Sequence, residues 1–118
     1  MGNEGEFTRK VNELTTINEK EAFLDNHDMS FIYVSTPDCS VCHALLPKLR
    51  ELLADYPHIS FGHVDASQVK EVAEKFLILE APTMLFIIEN KEYLREGRFV
   101  RFGFLKERLD RIYRIYDK

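Results

Sequence analysis

An excess of positive charge is missing from this sequence: 16 lysines and arginines face 20 aspartates and glutamates, for a net charge of −4. A basic face of the size that nucleic acid requires is therefore not expected. Long apolar runs are also missing. The strongest, Met84 to Ile88, is five residues long, far short of the about 18 that a membrane helix needs, so no membrane partner is expected. The opening residues, MGNEGEFTRKVNELTT, have no apolar core of the kind a secretory signal carries, and a cytoplasmic location follows as the expectation. Cysteine is scarce, with only two in 118 residues, which argues against a secreted scaffold stapled by disulfides. There is no internal repeat, low-complexity tract or linker. A chain of 118 residues that is 45% hydrophobic is expected to fold as a single domain over 1–118, residues 1–6 flexible, with a core large enough to need no staples.

Both cysteines lie in the stretch around which the rest is organised, Ser30 to Leu53, SFIYVSTPDCSVCHALLPKLRELL. Phe31, Ile32, Tyr33 and Val34 read as a strand, and Ser35, Thr36 and Pro37 as a turn. Cys39 and Cys42 follow where an amphipathic helix should begin. The first turn of a helix has unpaired N–H groups and the positive end of the macrodipole, so a thiolate is favoured there. Cys39 is accordingly the candidate nucleophile, and Cys42, on the same side of the first turn, the candidate that resolves a mixed disulfide. Two other readings compete. Zinc sites use the same spacing, but they need four ligands, and His27, His43, His58 and His63 are the only other soft candidates. Buried cysteines also serve as small core residues, though that leaves unexplained why a polar turn and a helix start coincide with them.

This stretch resembles the active site of the thioredoxin family, and the resemblance extends over about residues 16–117. Pro47 matches the family's helix-kinking proline; physically it removes one helical N–H and leaves the His43 carbonyl without its usual partner. Ala81-Pro82-Thr83 resembles the segment that holds the family's proline beside the cysteines, in a cis peptide bond. The resemblance implies a thiol–disulfide oxidoreductase that reduces protein disulfides, is recycled by a separate reductase and contributes to redox homeostasis as a monomer. It implies no bound cofactor and no metal. It also implies that Ala81, Pro82 and Thr83 bind substrate, Ala81 offering its backbone to an extended segment. The match is incomplete. Familiar members have an aromatic residue before the first cysteine and Gly-Pro between the two, where this chain has Asp38 and Ser40-Val41. Their buried acidic residue falls on Tyr33.

Each departure bears on proton chemistry. A carboxylate at Asp38 opposes a thiolate at Cys39. His43, at i+4 from Cys39, either offsets it as an imidazolium or faces solvent. Tyrosine is a poor base at neutral pH, so water or Asp38 must take the proton of Cys42, and slower resolution would suit a restricted substrate set. These departures support an alternative, a non-catalytic adaptor whose groove near Pro82 binds a partner.

Elsewhere, Phe7 to Leu14 reads as an edge strand, and Thr16 with Glu19 as a capping box for a helix over 18–26 whose apolar face is Ala22, Phe23 and Leu24. In the helix after the cysteines, Leu45, Leu49, Leu52 and Tyr56 form one stripe, widened by Leu46 and Leu53, with Tyr56-Pro57 ending it. Ile59 to Val64 reads as a parallel strand, 68–75 as a helix, 76–80 as a connector, and Thr83 to Ile88 as a buried interior strand. Glu89-Asn90-Lys91 is a turn into an antiparallel strand over 92–95, with Gly97 a bulge or the end of pairing. A last helix over 103–116 carries Leu105, Leu109, Ile112 and Tyr116, and Phe99, Phe102 and Phe104 are expected to pack beneath it. The pattern predicts an α/β fold: a thioredoxin-like mixed sheet of four to five strands flanked on both faces by about four helices.

Overall fold

The computed structural model describes residues 10–76 and 80–117. Strand β1 (Asn12–Glu13) leads through α1 (Ile17–Asn26) to β2 (Met29–Ser35), α2 (Ser40–Leu53), β3 (Ile59–Asp65), α3 (Lys70–Phe76), β4 (Thr83–Ile88), β5 (Lys91–Glu96) and α4 (Phe102–Tyr116). The five strands form one sheet in the order β1-β3-β2-β4-β5. β1 and β2 run parallel to β3, and β4 runs antiparallel to both β2 and β5. The mixed α/β sheet with helices on both faces is as the sequence predicts.

Alternation along the strands divides the core in two. Phe31, Tyr33, Phe61, Met84 and Phe86 pack with Leu45, Leu49 and Leu53 of α2 and Leu105 and Leu109 of α4. Ile32, Val34, Val64, Leu85 and Ile87 pack on the other side with Phe23 and Leu24 of α1. β2 is buried at every position, because it is the central strand and both its faces are covered. Full burial of Leu49 and Leu53 contributes about 1.5–3 kcal/mol each to holding α2 on the sheet. Gly62 permits the close approach on the other face: a Cβ there would come within 2.9 Å of Leu14 Cδ1 and 3.1 Å of Ile32 Cδ1.

Local chemistry sets the element ends. Thr16 Oγ1 accepts from the Glu19 N–H at 3.0 Å, and the Glu19 carboxylate accepts from the Thr15 N–H and hydroxyl, both at 2.7 Å. Glu19 therefore reaches one residue beyond a standard capping box. Glu89 and Asn90 make a two-residue hairpin turn with positive φ of 49° and 68°, so Lys91 begins the strand instead of completing the turn.

Several expectations need correction. β1 is two residues long; of the expected strand, 7–9 lie outside the described residues, as do 77–79 of the connector. Ala22 is exposed, and Lys20 is the buried companion of Phe23 and Leu24 in α1. α2 ends at Leu53, so Tyr56 is buried beyond the helix, its hydroxyl donating to Asp110 of α4 at 3.0 Å. The bulge falls between Phe86 and Ile87, where Leu94 and Glu92 are their partners and Tyr93 is the extra residue; Gly97 follows the end of pairing. Tyr116 leaves the α4 stripe to pair with Tyr93 at the surface. Phe99 and Phe104 do not pack beneath α4: they are 88% and 55% exposed. Phe104 lies about 100° around the helix from the buried Leu105, and Phe99 lies in the connection before α4. Only Phe102 packs against the core.

Candidate active site

The sheet register gathers four connections at one end of the molecule. β2 and β3 finish side by side, Ser35 against Asp65. Because β4 is antiparallel to β2, it begins at that same end, Thr83 against Val34. β5 returns to it, with Glu96 beside Met84. The Cys39–Cys42 turn, the Ala81–Pro82 segment and the connection over 97–101 are thereby brought together, although they are far apart in sequence.

Cys39 is the N-cap residue of α2, and its Sγ accepts the Cys42 N–H at 3.1 Å. The sulfur thus takes the place that a serine or aspartate oxygen occupies in ordinary caps. The Cys39 N–H donates to the Thr36 carbonyl at 3.3 Å, which closes the turn leading in from β2. Cys39 and Cys42 are joined as a disulfide, with Cα atoms 5.2 Å apart. Cys39 is 8% exposed and Cys42 1%, so the cap sulfur is the one nearer solvent. A bonded pair of this kind can accept two electrons and release two thiols. Pro47 lies within α2.

The Ala81–Pro82 peptide is cis. Pro82 and Thr83 are buried and Ala81 is half-buried, and the Thr83 hydroxyl donates to the Glu80 carbonyl at 2.7 Å. Asp38 and His43 are exposed. His43 Nε2 lies 3.1 Å from the Pro37 carbonyl; a carbonyl can only accept, so this nitrogen donates, and the ring spans the outside of the turn.

Tyr33 is buried on the strand beneath the pair, and its hydroxyl donates to the carbonyl of Cys42. Burial raises its pKa well above the ordinary phenol range, so it keeps its proton at any physiological pH. His63 lies across from Tyr33 in the β2–β3 register, with the two rings 5.3 Å apart. Its Nδ1 donates to the Glu13 carboxylate at 2.7 Å, and its Nε2 meets the Ser35 hydroxyl. This chain of polar side chains ties the ends of β1, β3 and β2 together. In the sequence His63 is one of four histidines and Ser35 reads as a turn residue; it is the parallel register of β2 and β3 that brings them together. Among the described residues, no three His, Cys, Asp or Glu side chains are gathered to hold a metal ion. No helix of the described residues is long and apolar enough to cross a membrane.

The family model Thioredoxin matches residues 10–99. Thioredoxin-like protein YdfQ of Bacillus subtilis (strain 168) is 47% identical over 97 residues, which cover 82% of this chain and 87% of that protein. The X-ray structure of Fasciola hepatica thioredoxin superposes with a TM-score of 0.75 at 26% identity, covering 85% of this chain and 97% of the other. Thioredoxin from Trypanosoma brucei brucei, at 17% identity, shares the fold with a TM-score of 0.80 over 97% of this chain and 99% of the other. The chain belongs to the thioredoxin family. Its Cys39–Cys42 couple makes it a thiol–disulfide oxidoreductase of that family.

Proposed function

We propose that this protein is a protein-disulfide reductase in which Cys39 attacks and Cys42 resolves. The observation that carries this reading is the position of Cys39, the more exposed sulfur, at the cap of α2 with its Sγ on the Cys42 N–H. That N–H and the helix dipole stabilise a thiolate after reduction. The Cys39 thiolate displaces one sulfur of a substrate disulfide, which leaves as a thiolate. Cys42, once deprotonated, attacks Cys39 Sγ and releases the second substrate sulfur. Two electrons pass from the dithiol to the substrate, and the protein is left with the disulfide seen here.

Tyr33 retains its proton and takes no part as a base. The Cys42 proton goes to Asp38 or to water. Tyr33, Asp38, His43 and Pro47 tune the couple, while the substrate's extended segment lies along Ala81, Pro82 and Thr83. We further propose a cytoplasmic monomer with no bound cofactor, re-reduced by a separate reductase. A non-catalytic adaptor would leave the bonded cysteine pair without a purpose.

The test is trapping. Cys42→Ser, mixed in reduced form with a protein disulfide, should accumulate a mixed disulfide through Cys39 that mass spectrometry detects, and Cys39→Ser should not. Trapping through Cys42 in the Cys39→Ser variant, with none in the other, would reverse the assignment. Redox equilibration gives the direction of transfer: a potential near the thioredoxin value of about −270 mV supports a reductant, and one near about −120 mV an oxidant.

A further inference from the structure

The connection between β5 and α4 exposes apolar and cationic side chains that the exchange chemistry does not use. Phe99 is 88% and Phe104 55% exposed, and two exposed aromatic rings lining one depression are unusual on a surface that only meets water. Arg98 and Arg101 are exposed as well. Neither makes an ion pair among the described residues. Arg101 instead lies over the Phe104 ring, 5.9 Å from its centroid. Glu96, the acidic side chain lining the same depression, has its charge offset by Arg108 at 3.4 Å. Glu96, Phe99, Arg101, Phe104 and Arg108 line a depression of about 400 Å³. On a chain of net charge −4, this is a local reversal of sign.

Its position gives the patch a use. Gly97 neighbours the Pro82 carbonyl, where a Cβ on it would make an ordinary contact at 3.7 Å from that oxygen, and Glu96 is the register partner of Met84. The patch therefore begins where the Ala81–Pro82 segment ends, at the same end of the sheet as Cys39. A substrate chain lying along Pro82 would continue over Phe99 and Arg101.

We propose that this surface selects protein partners whose redox cysteine is flanked by a segment carrying both acidic and aromatic side chains. The partner's carboxylates meet Arg98 and Arg101, and its apolar rings stack on Phe99 and Phe104. This rests on the reductase reading for its purpose, and the recognition itself is measurable without any exchange chemistry. Arg98 and Arg101 on the connection, with Arg108 of α4 engaged by Glu96, are too few positive charges for a nucleic-acid footprint on an acidic protein, which leaves a protein segment as the occupant.

The test uses dye-labelled, cysteine-free peptides of alternating Glu and Phe, the same peptide with Lys for Glu, and one with Gly for Phe, titrated with the full-length oxidised protein. The Glu/Phe peptide should bind about tenfold more tightly than the Lys/Phe peptide, and salt should weaken it. Arg98→Glu with Arg101→Glu should invert that preference, and Phe99→Ser should weaken Glu/Phe binding toward that of the Glu/Gly peptide. The side chains are exposed, so these variants should keep the wild-type thermal midpoint. Reduction of 2-hydroxyethyl disulfide, a small neutral substrate, should be unaltered in all of them. Equal affinity for the acidic and basic peptides, no binding of either, or a preference that survives the double charge reversal would overturn the proposal. Failure of the wild type to reduce 2-hydroxyethyl disulfide would instead overturn the reductase reading and leave the binding result to stand on its own.

Discussion

On one face of the sheet Phe31, Tyr33, Phe61 and Phe86 lie under α2 and α4; on the other Ile32, Val34, Leu85 and Ile87 lie under α1. Each strand contributes to both faces by alternation, so the two share one backbone. The α1 face is hydrocarbon at its centre and packed so closely at Gly62 that a Cβ there would push on Leu14, Ile32 and Phe23. The α2 face is interrupted toward one end by a phenol, an imidazole, a serine hydroxyl and two sulfurs, whose partners are one another, nearby backbone and the Glu13 carboxylate. Buried polar groups are costly unless satisfied. On the α1 face the buried polar side chains are dispersed, Lys20 on the helix and Ser30 and Thr83 at opposite ends of the sheet; on the α2 face they gather at one end, and that is where Cys39 and Cys42 sit.

The largest effect should come from breaking the sulfur chemistry itself. Cys39→Ser should lower disulfide exchange about a thousandfold or more. A serine hydroxyl is also a good helix cap, so urea unfolding of the reduced protein should shift by less than about 1 kcal/mol. A stability loss as large as a core deletion would show that Cys39 is there to pack.

Leu85→Ala reverses the pattern. Leu85 is fully buried on the α1 face, and its truncation should cost about 2–5 kcal/mol in urea unfolding. The reduction potential of the Cys39–Cys42 couple, read from thiol/disulfide equilibration, should stay at the wild-type value. A shifted potential would mean that the two faces are coupled through β4.

Alkaline titration sharpens the contrast next, because the buried phenols belong to the α2 face. Burial, and then the hydrogen bond to Asp110, push Tyr56 up to about 12, and burial pushes Tyr33 up as well. The unfolded chain releases these protons near pH 10 while the folded chain holds them. The stability they contribute is therefore present below pH 10 and lost as pH rises toward about 12, by at most about 1.4 kcal/mol per pH unit for each group. Tyr56→Phe should flatten that decline in chemical unfolding measured between pH 9 and pH 12; an unchanged slope would place the loss elsewhere.

Much of this division was legible beforehand. The leucines of α2 and α4 at helical spacing, the unbroken apolar runs of β2 and β4, and Cys39 at a strand-to-helix turn are local signals, and each appears where its periodicity puts it. Tyr116 failed because a helical stripe does not say how far the partner core extends. Phe99 and Phe104 failed because hydrophobicity alone does not distinguish a buried ring from one displayed beside a groove. The Glu13–His63–Ser35 chain depends on the parallel register of three strands, which no local window contains.

Tyr33→Phe should give the smallest change and the most specific one. Phenylalanine fills the same space, so the packing of the α2 face is kept and only the donor to the Cys42 carbonyl is lost. The cost in urea unfolding should be about 0.5–1.5 kcal/mol, the worth of one buried hydrogen bond, well below that of Leu85→Ala. That carbonyl lies in the first turn of α2, the turn whose Cys42 N–H donates to Cys39 Sγ. A loosened first turn therefore bears on the sulfurs directly. The smaller stability change should consequently be accompanied by a shifted reduction potential, where the larger one on the α1 face brings none. If the potential of Tyr33→Phe equals that of the wild type, the tyrosine at the family's acidic position is a packing residue and nothing more.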